Sequence, residues 1–101
     1  MDRLSKQDAL KKLRFCLEFG IVEQHPHFKK ALLEDGCDYN DALMIMKRGS
    51  IYDEPEFDVR FQEWRYKIEG EETEGRWLKI VFSFIEDDGT LLITAFVVER
   101  R

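Results

Sequence analysis

The stretch GRWLKIVFSF, residues 75–84, constrains the fold of this chain more than any other. Read with a period of two, it places Leu78, Ile80, Phe82 and Phe84 on one face and Trp77, Lys79, Val81 and Ser83 on the other. A strand that is wholly apolar on one face and half apolar on the other belongs in the interior of a sheet. The first face needs a layer of helices to cover it. The second carries an indole beside an ammonium and is left for solvent or a ligand. With 101 residues the chain has room for one domain, residues 1–101, and one modest core.

The covering layer lies upstream. Ser5-Lys6-Gln7-Asp8 reads as a capping box, and Ala9, Leu10, Leu13, Cys16 and Leu17 follow at helical spacing. Gly20 predicts a stop with positive φ. Ile21-Val22-Glu23-Gln24 suits a short edge strand, and Pro26 suits the first turn of a second helix carrying Phe28, Ala31 and Leu32. Gly36 ends that helix. Asp38-Tyr39-Asn40-Asp41 caps a third, apolar at Ala42, Leu43, Ile45 and Met46 and closed by Gly49; Met44 and Met46 read as core filling.

After Gly49 the period changes. Ile51-Tyr52 reads as a brief strand and DEPEFD, with Pro55 inside it, as a loop. Trp64, Tyr66 and Ile68 then alternate with Arg65, Lys67 and Glu69, and GEETEG makes a polar turn. After the opening strand, Asp87-Asp88-Gly89 predicts a hairpin turn, and residues 90–98 form a last apolar strand. Helices first and a meander afterwards predict an α+β domain, its amino-terminal helices packed on one face of a carboxy-terminal antiparallel β-sheet.

Charge is unevenly placed. Residues 1–49 hold 9 Lys/Arg against 8 Asp/Glu, and residues 50–101 hold 7 against 13. A polyanion binder needs clustered cations, so any nucleic-acid contact must use a local basic patch. No segment is apolar enough for a membrane span and no signal-like segment opens the sequence, so no membrane contact and a cytoplasmic location are expected. Cys16 and Cys37 are too few for a disulfide framework and read as reduced. No metal cassette, glycine-rich phosphate loop or serine or cysteine nucleophile motif appears, and no metal or cofactor is expected.

The basic patch falls on the second face of the sheet. Alternation puts Arg65 and Lys67 on one face of their strand and Trp77 and Lys79 on one face of the next. If the apolar faces pair, the four converge, and such cations can clamp a phosphate while an indole stacks on a base. The competing reading is a solvated face whose cations answer Glu63, Glu69 and Glu86. Arg76 and Arg60 are further candidate RNA contacts. Glu23, His25 and His27 alternate in EQHPH; two His and one Glu make a poor zinc set, but His27 alone suits proton transfer near neutral pH. The carboxylates Asp53, Glu54, Glu56 and Asp58 read either as acid/base groups or as a solvated run.

The ordered segments HFKKALLEDGCDYNDALMIMKRGSIYDEPEFD, EWRYKIEG, GRWLKIVFSF and LLITAF, from His27 to Phe96, resemble a family of small bacterial proteins described as a domain of unknown function. That family is often linked to toxin–antitoxin gene pairs whose antitoxin is of the zinc-finger, helix-turn-helix type. WLKI and LLITAF also look like stretches of the MqsR- and RelE-like ribonuclease toxins. The resemblance implies a toxin-like protein of a type II pair, a metal-independent endoribonuclease for mRNA, with an antitoxin as partner. It implies site roles for Arg65, Trp77 and Lys79; joined to the patch read above, Arg65, Lys67 and Lys79 are expected to hold phosphate, Trp77 to stack on a base, and His27 to be the candidate for proton transfer. The pattern departs from those toxins where Val97-Val98 follow Phe96 in place of a lysine, and where an indole stands in place of a phenol. The alternative is a non-catalytic protein-interaction module of the same fold, and a third reading is a small-molecule site on the Trp77 face.

Overall fold

The computed structural model describes residues 2–101. Its elements are α1 (Lys6–Phe19), β1 (Ile21–Gln24), α2 (Pro26–Glu34), α3 (Tyr39–Arg48), β2 (Glu56–Asp58), β3 (Glu63–Glu71), β4 (Trp77–Ile85) and β5 (Gly89–Val98). The five strands form one sheet in the order β1-β5-β4-β3-β2. Strands β2 to β5 form the antiparallel meander, and β1 joins the far edge parallel to β5, so the sheet is mixed. The α+β layout holds, and β4 sits in the middle as its double-sided hydrophobicity requires.

One core lies between the helices and one face of the sheet. Ala9, Leu13 and Cys16 of α1, Phe28 and Leu32 of α2, and Ala42, Ile45 and Met46 of α3 pack on Tyr66, Ile68, Leu78, Ile80, Phe82, Phe84, Leu92 and Ala95. Each large buried side chain contributes about 1.5–3 kcal/mol by leaving water. Tyr66 packs on Phe82 and Phe84 at ring distances of 5.7 and 5.3 Å. Its hydroxyl stays satisfied by accepting from the Leu4 N–H at 3.0 Å. A bulge near Val81 and Phe82 lets Leu92 and Ala95, three residues apart, share the core face.

The helix signals act as their chemistry suggests. Ser5 Oγ accepts from the Asp8 N–H at 3.1 Å, and Asp38 and Asp41 form a reciprocal capping box at 2.9 and 3.0 Å. Gly20 ends α1 for a different reason from the one its sequence suggests. Its φ is −111°, but a Cβ there would lie 2.0 Å from the carbonyl oxygen of Asp88, which accepts from the Ile21 N–H at 2.9 Å. The glycine permits close approach of α1 to the β4–β5 turn. In that turn the positive φ falls on Glu86, at 56°.

Two local expectations give way. DEPEFD is not all loop: Glu56–Asp58 pair with Arg65, Trp64 and Glu63 at the edge of β3. Ile51-Tyr52 is not a strand; the backbone pairing beside it is the isolated bridge Ser50↔Glu69. Among the described residues, no helix is long and apolar enough to cross a membrane.

Candidate functional site

Because Tyr66, Ile68, Leu78 and Ile80 face the helices, Arg65, Lys67, Glu69, Trp77 and Lys79 face the other way, across the open side of the sheet. Glu69 is opposite Lys79, and Glu71 is opposite Trp77. Arg65 lies four residues along β3 from Glu69, about 13 Å away at strand rise. The predicted patch therefore shares a face but divides into two clusters.

The first surrounds Arg65. Its Nη2 lies 3.1 Å from Asp58 and 3.5 Å from Glu63, and its guanidinium stands over the Phe61 ring at 5.5 Å. Its Nε is buried without a hydrogen-bond partner, as is the hydroxyl of Ser83 on the neighbouring strand. Arg65 lines a concavity of about 260 Å³ with His25, His27, Phe61, Glu63, Leu91 and Ile93. Two imidazoles thus reach the same hollow from the start of α2. His25 is the N-cap of that helix: its Nδ1 accepts from the His27 N–H at 3.0 Å, which leaves the ring proton on Nε2. The His27 ring makes no hydrogen bond or ion pair among the described residues. Arg60 stands nearby over Phe61, at 5.4 Å.

The second cluster surrounds Glu69, whose exposure is 1% although it faces away from the core. It accepts from Trp77 Nε1 at 2.9 Å and from Arg101 Nε at 2.6 Å, and Lys79 Nζ lies 3.4 Å away. Asp53 completes the ring, 3.1 Å from Lys79 and 2.9 Å from Arg101. Burial pushes the Glu69 carboxyl up. Hydrogen bonds from Arg101 and Trp77, with the charges of Lys79 and Arg101, more than offset that and leave it below the usual range. Asp53 is also held low, first by the Lys79 hydrogen bond.

The remaining predicted cations stand apart. Lys67 lies between the clusters, 2.7 Å from Glu56. Arg76 does not join the open face. Its guanidinium reaches Glu72 at 3.2 Å and the carbonyls of Asp35 and Gly36 at 2.7 and 3.2 Å, tying the β3–β4 hairpin to the α2–α3 turn. The hydrogen bond from Arg76 holds the buried Glu72 carboxyl low, and Glu72 holds the guanidinium proton more tightly in return. The acidic run is answered in order: Asp53 by Lys79 and Arg101, Glu54 by Arg3 and Lys6, Glu56 by Lys67, and Asp58 by Arg65. Cys37, Asp41 and Glu72 bring potential metal donors within 4.8 Å, but Asp41 caps α3, Glu72 holds Arg76, and burial keeps the Cys37 thiol protonated.

Sequence reasoning named Glu69 only as a counter-charge and Asp53 only within an acidic run, and it passed over Phe61 and Arg101. Alternation already put Glu69 on the Arg65 face, so that one was legible. Asp53 and Arg101 come from segments without periodicity, and only the fold delivers them.

A family model described as a domain of unknown function (DUF4258) matches residues 25–97, which hold α2 to β5 save its last residue, Val98, and both clusters except Arg101. No curated protein matches the chain. Among solved structures, the Brucella abortus ribonuclease toxin BrnT is similar, with a TM-score of 0.55 and 11% identity over 79% of this chain and 97% of that one. At that identity the likeness is one of fold.

Proposed function

The chain belongs to the family described as a domain of unknown function (DUF4258), and from that premise we propose that it is the toxin-like member of a type II toxin–antitoxin pair, an mRNA endoribonuclease that works without metal. The observation that carries this reading is the hollow beside β3, which Arg65 lines together with the unpaired ring of His27. The similar fold of a ribonuclease toxin supports it. In this proposal the 2′-hydroxyl of an RNA nucleotide attacks the adjacent phosphorus. The new O2′–P bond forms as the P–O5′ bond breaks, leaving a 2′,3′-cyclic phosphate and a 5′-hydroxyl. His27 takes the 2′ proton and returns it to the 5′ oxygen, a task suited to imidazole. Arg65 stabilises the charge that develops on the phosphoryl oxygens, with Lys67 and Arg60 along the approach. Trp77 and Lys79 extend the same face but meet carboxylates first. The proposed partner is an antitoxin of the zinc-finger, helix-turn-helix type, the proposed location the cytoplasm, and the proposed wider kinship the MqsR- and RelE-like toxins.

One observation favours the non-catalytic alternative: Arg65, Lys67 and Lys79 are each already paired with a carboxylate. Phosphate must displace those acids, whereas a protein partner need not. Induced expression separates the readings. The wild type should arrest growth and leave RNA with 2′,3′-cyclic phosphate ends, and folded His27→Ala should cleave roughly 100-fold more slowly. Arg65→Lys, which keeps the charge, should lose less than Arg65→Ala. Soluble wild-type protein that gives neither arrest nor such ends overturns the nuclease.

A further inference from the structure

The second cluster holds two guanidinium groups, both from the segment after β5. Arg101 places Nε 2.6 Å and Nη2 3.2 Å from the two oxygens of Glu69, and Nη2 also 2.9 Å from Asp53; its guanidinium lies over the Tyr52 ring at 4.5 Å. Arg100 repeats the arrangement one residue earlier. Its two terminal nitrogens lie 3.2 and 3.1 Å from the oxygens of Glu71, and its guanidinium lies over Trp77 at 5.6 Å. Each arginine therefore meets a carboxylate fork and an aromatic face, two surfaces that a planar guanidinium engages in two-point and stacked geometry and an ammonium engages only as a point charge.

We propose that Glu69, Glu71, Asp53, Trp77 and Tyr52 form a recognition site for paired arginines, filled here by Arg100 and Arg101 and taken over by an arginine-bearing segment of a partner protein.

Glu69, Glu71 and Trp77 of the receptor stand on strands β3 and β4, Asp53 and Tyr52 stand on the segment beside them, and the occupant belongs to neither. The Glu69 side chain is 1% exposed, while those of Arg101 and Arg100 are 42% and 60% exposed. A carboxylate stripped of water needs charged donors, and Trp77 Nε1 holds one oxygen of Glu69 by a 2.9 Å hydrogen bond. Strand β5 ends at Val98, so both arginines lie beyond the ladder. Three carboxylates, Asp53, Glu69 and Glu71, stand against the single ammonium of Lys79, and two guanidiniums complete the balance. With the two arginines displaced, three carboxylates face one ammonium, an excess that repels a nucleic-acid backbone and points to a protein segment. This site lies away from the His27 hollow and does not rest on the nuclease reading.

The test uses the full chain, its Arg100→Ala/Arg101→Ala variant, and the dipeptides N-acetyl-Arg-Arg-amide and N-acetyl-Lys-Lys-amide, followed by calorimetry and tryptophan fluorescence. The variant should bind the arginine dipeptide roughly tenfold more tightly than the wild type does, because the internal competitor is gone. It should prefer that dipeptide over the lysine one by a similar factor, and adding Glu69→Gln should remove the preference. If the variant melts early, the arginine dipeptide should raise its midpoint and the lysine dipeptide should not. Equal binding of the two dipeptides, no binding by the variant, or a preference that survives Glu69→Gln overturns the proposal.

Discussion

Gly49 is where the helical half of the chain meets the sheet, and Gly49→Ala tests how tightly that junction is packed. Its φ is −75°, which alanine adopts without strain, so the effect is purely steric. A Cβ at this position would lie 2.6 Å from the carbonyl oxygen of Ile45 and 2.7 Å from that of Glu69. Both obstacles are backbone, and both oxygens are in use. Ile45 accepts from the Gly49 N–H at 2.7 Å, and Glu69 accepts from the Ser50 N–H at 3.0 Å. Relieving the contacts must stretch these bonds, each worth about 1 kcal/mol. Overpacking adds a cost, and the stiffer unfolded chain returns about 0.4–1 kcal/mol. The net loss is about 2 kcal/mol, which lowers the midpoint of a domain this size by about 8–16 °C. Thermal unfolding followed by circular dichroism reads it. The same change loosens the Ser50↔Glu69 bridge that seats residues 51–55, so Asp53 should hold Lys79 and Arg101 less firmly. A Gly49→Ala midpoint equal to or above that of the wild type refutes the packing argument.

Acid should destabilise the fold in a defined direction. Asp53, Glu54, Glu69 and Glu72 all have lowered folded pKa values, so their stabilisation is complete above the unfolded value and is lost as pH falls through the folded ones. The unfolding midpoint should stay level down to about pH 5 and fall below about pH 4; a midpoint that holds or rises across that range contradicts the network. Cys16 and Cys37 are both buried, and burial raises the Cys37 thiol further from its reactive form. A thiol reagent should label neither in the native protein and both after denaturation, and rapid native labelling would show that these positions open.

Much of the fold was legible because its signals are local. Ser5, Asp38 and Asp41 cap helices through side chains that reach only three residues, and the alternation from Trp64 to Phe84 assigns each side chain to a face. What the sequence hid depends on contacts between distant segments. Strand β2 is short and acidic, and forms because the edge of β3 offers it hydrogen bonds and Lys67 offers Glu56 an ion pair. Gly20 was legible as a helix end, but its reason lies 68 positions away at Asp88. The face was legible in the same limited sense. Periodicity put Arg65, Lys67, Trp77 and Lys79 together, while the pairing of the three cations was decided by Asp53, Glu56 and Asp58, whose segment has no period.

That pairing changes what the open face can do. Phosphate binding draws much of its free energy from releasing counterions condensed on the nucleic acid, and an arginine already bound to a carboxylate must give up one strong partner to gain another. Where the carboxylate is exposed, as Glu56 is, the exchange is close to balanced. Where it is covered and held by several donors, as Glu69 is by Arg101, Trp77 and Lys79, an anion that draws the cations away works against all of those bonds. The two ends of the face therefore differ in kind. Around Arg65 and His27 the proposed chemistry draws on an unpaired imidazole in the hollow and on the Arg65 guanidinium, which a phosphate would have to take from Asp58 and Glu63. Around Glu69 the available free energy favours replacing one guanidinium by another. One sheet face can then separate chemistry at one end from partner recognition at the other, with Lys67 between them.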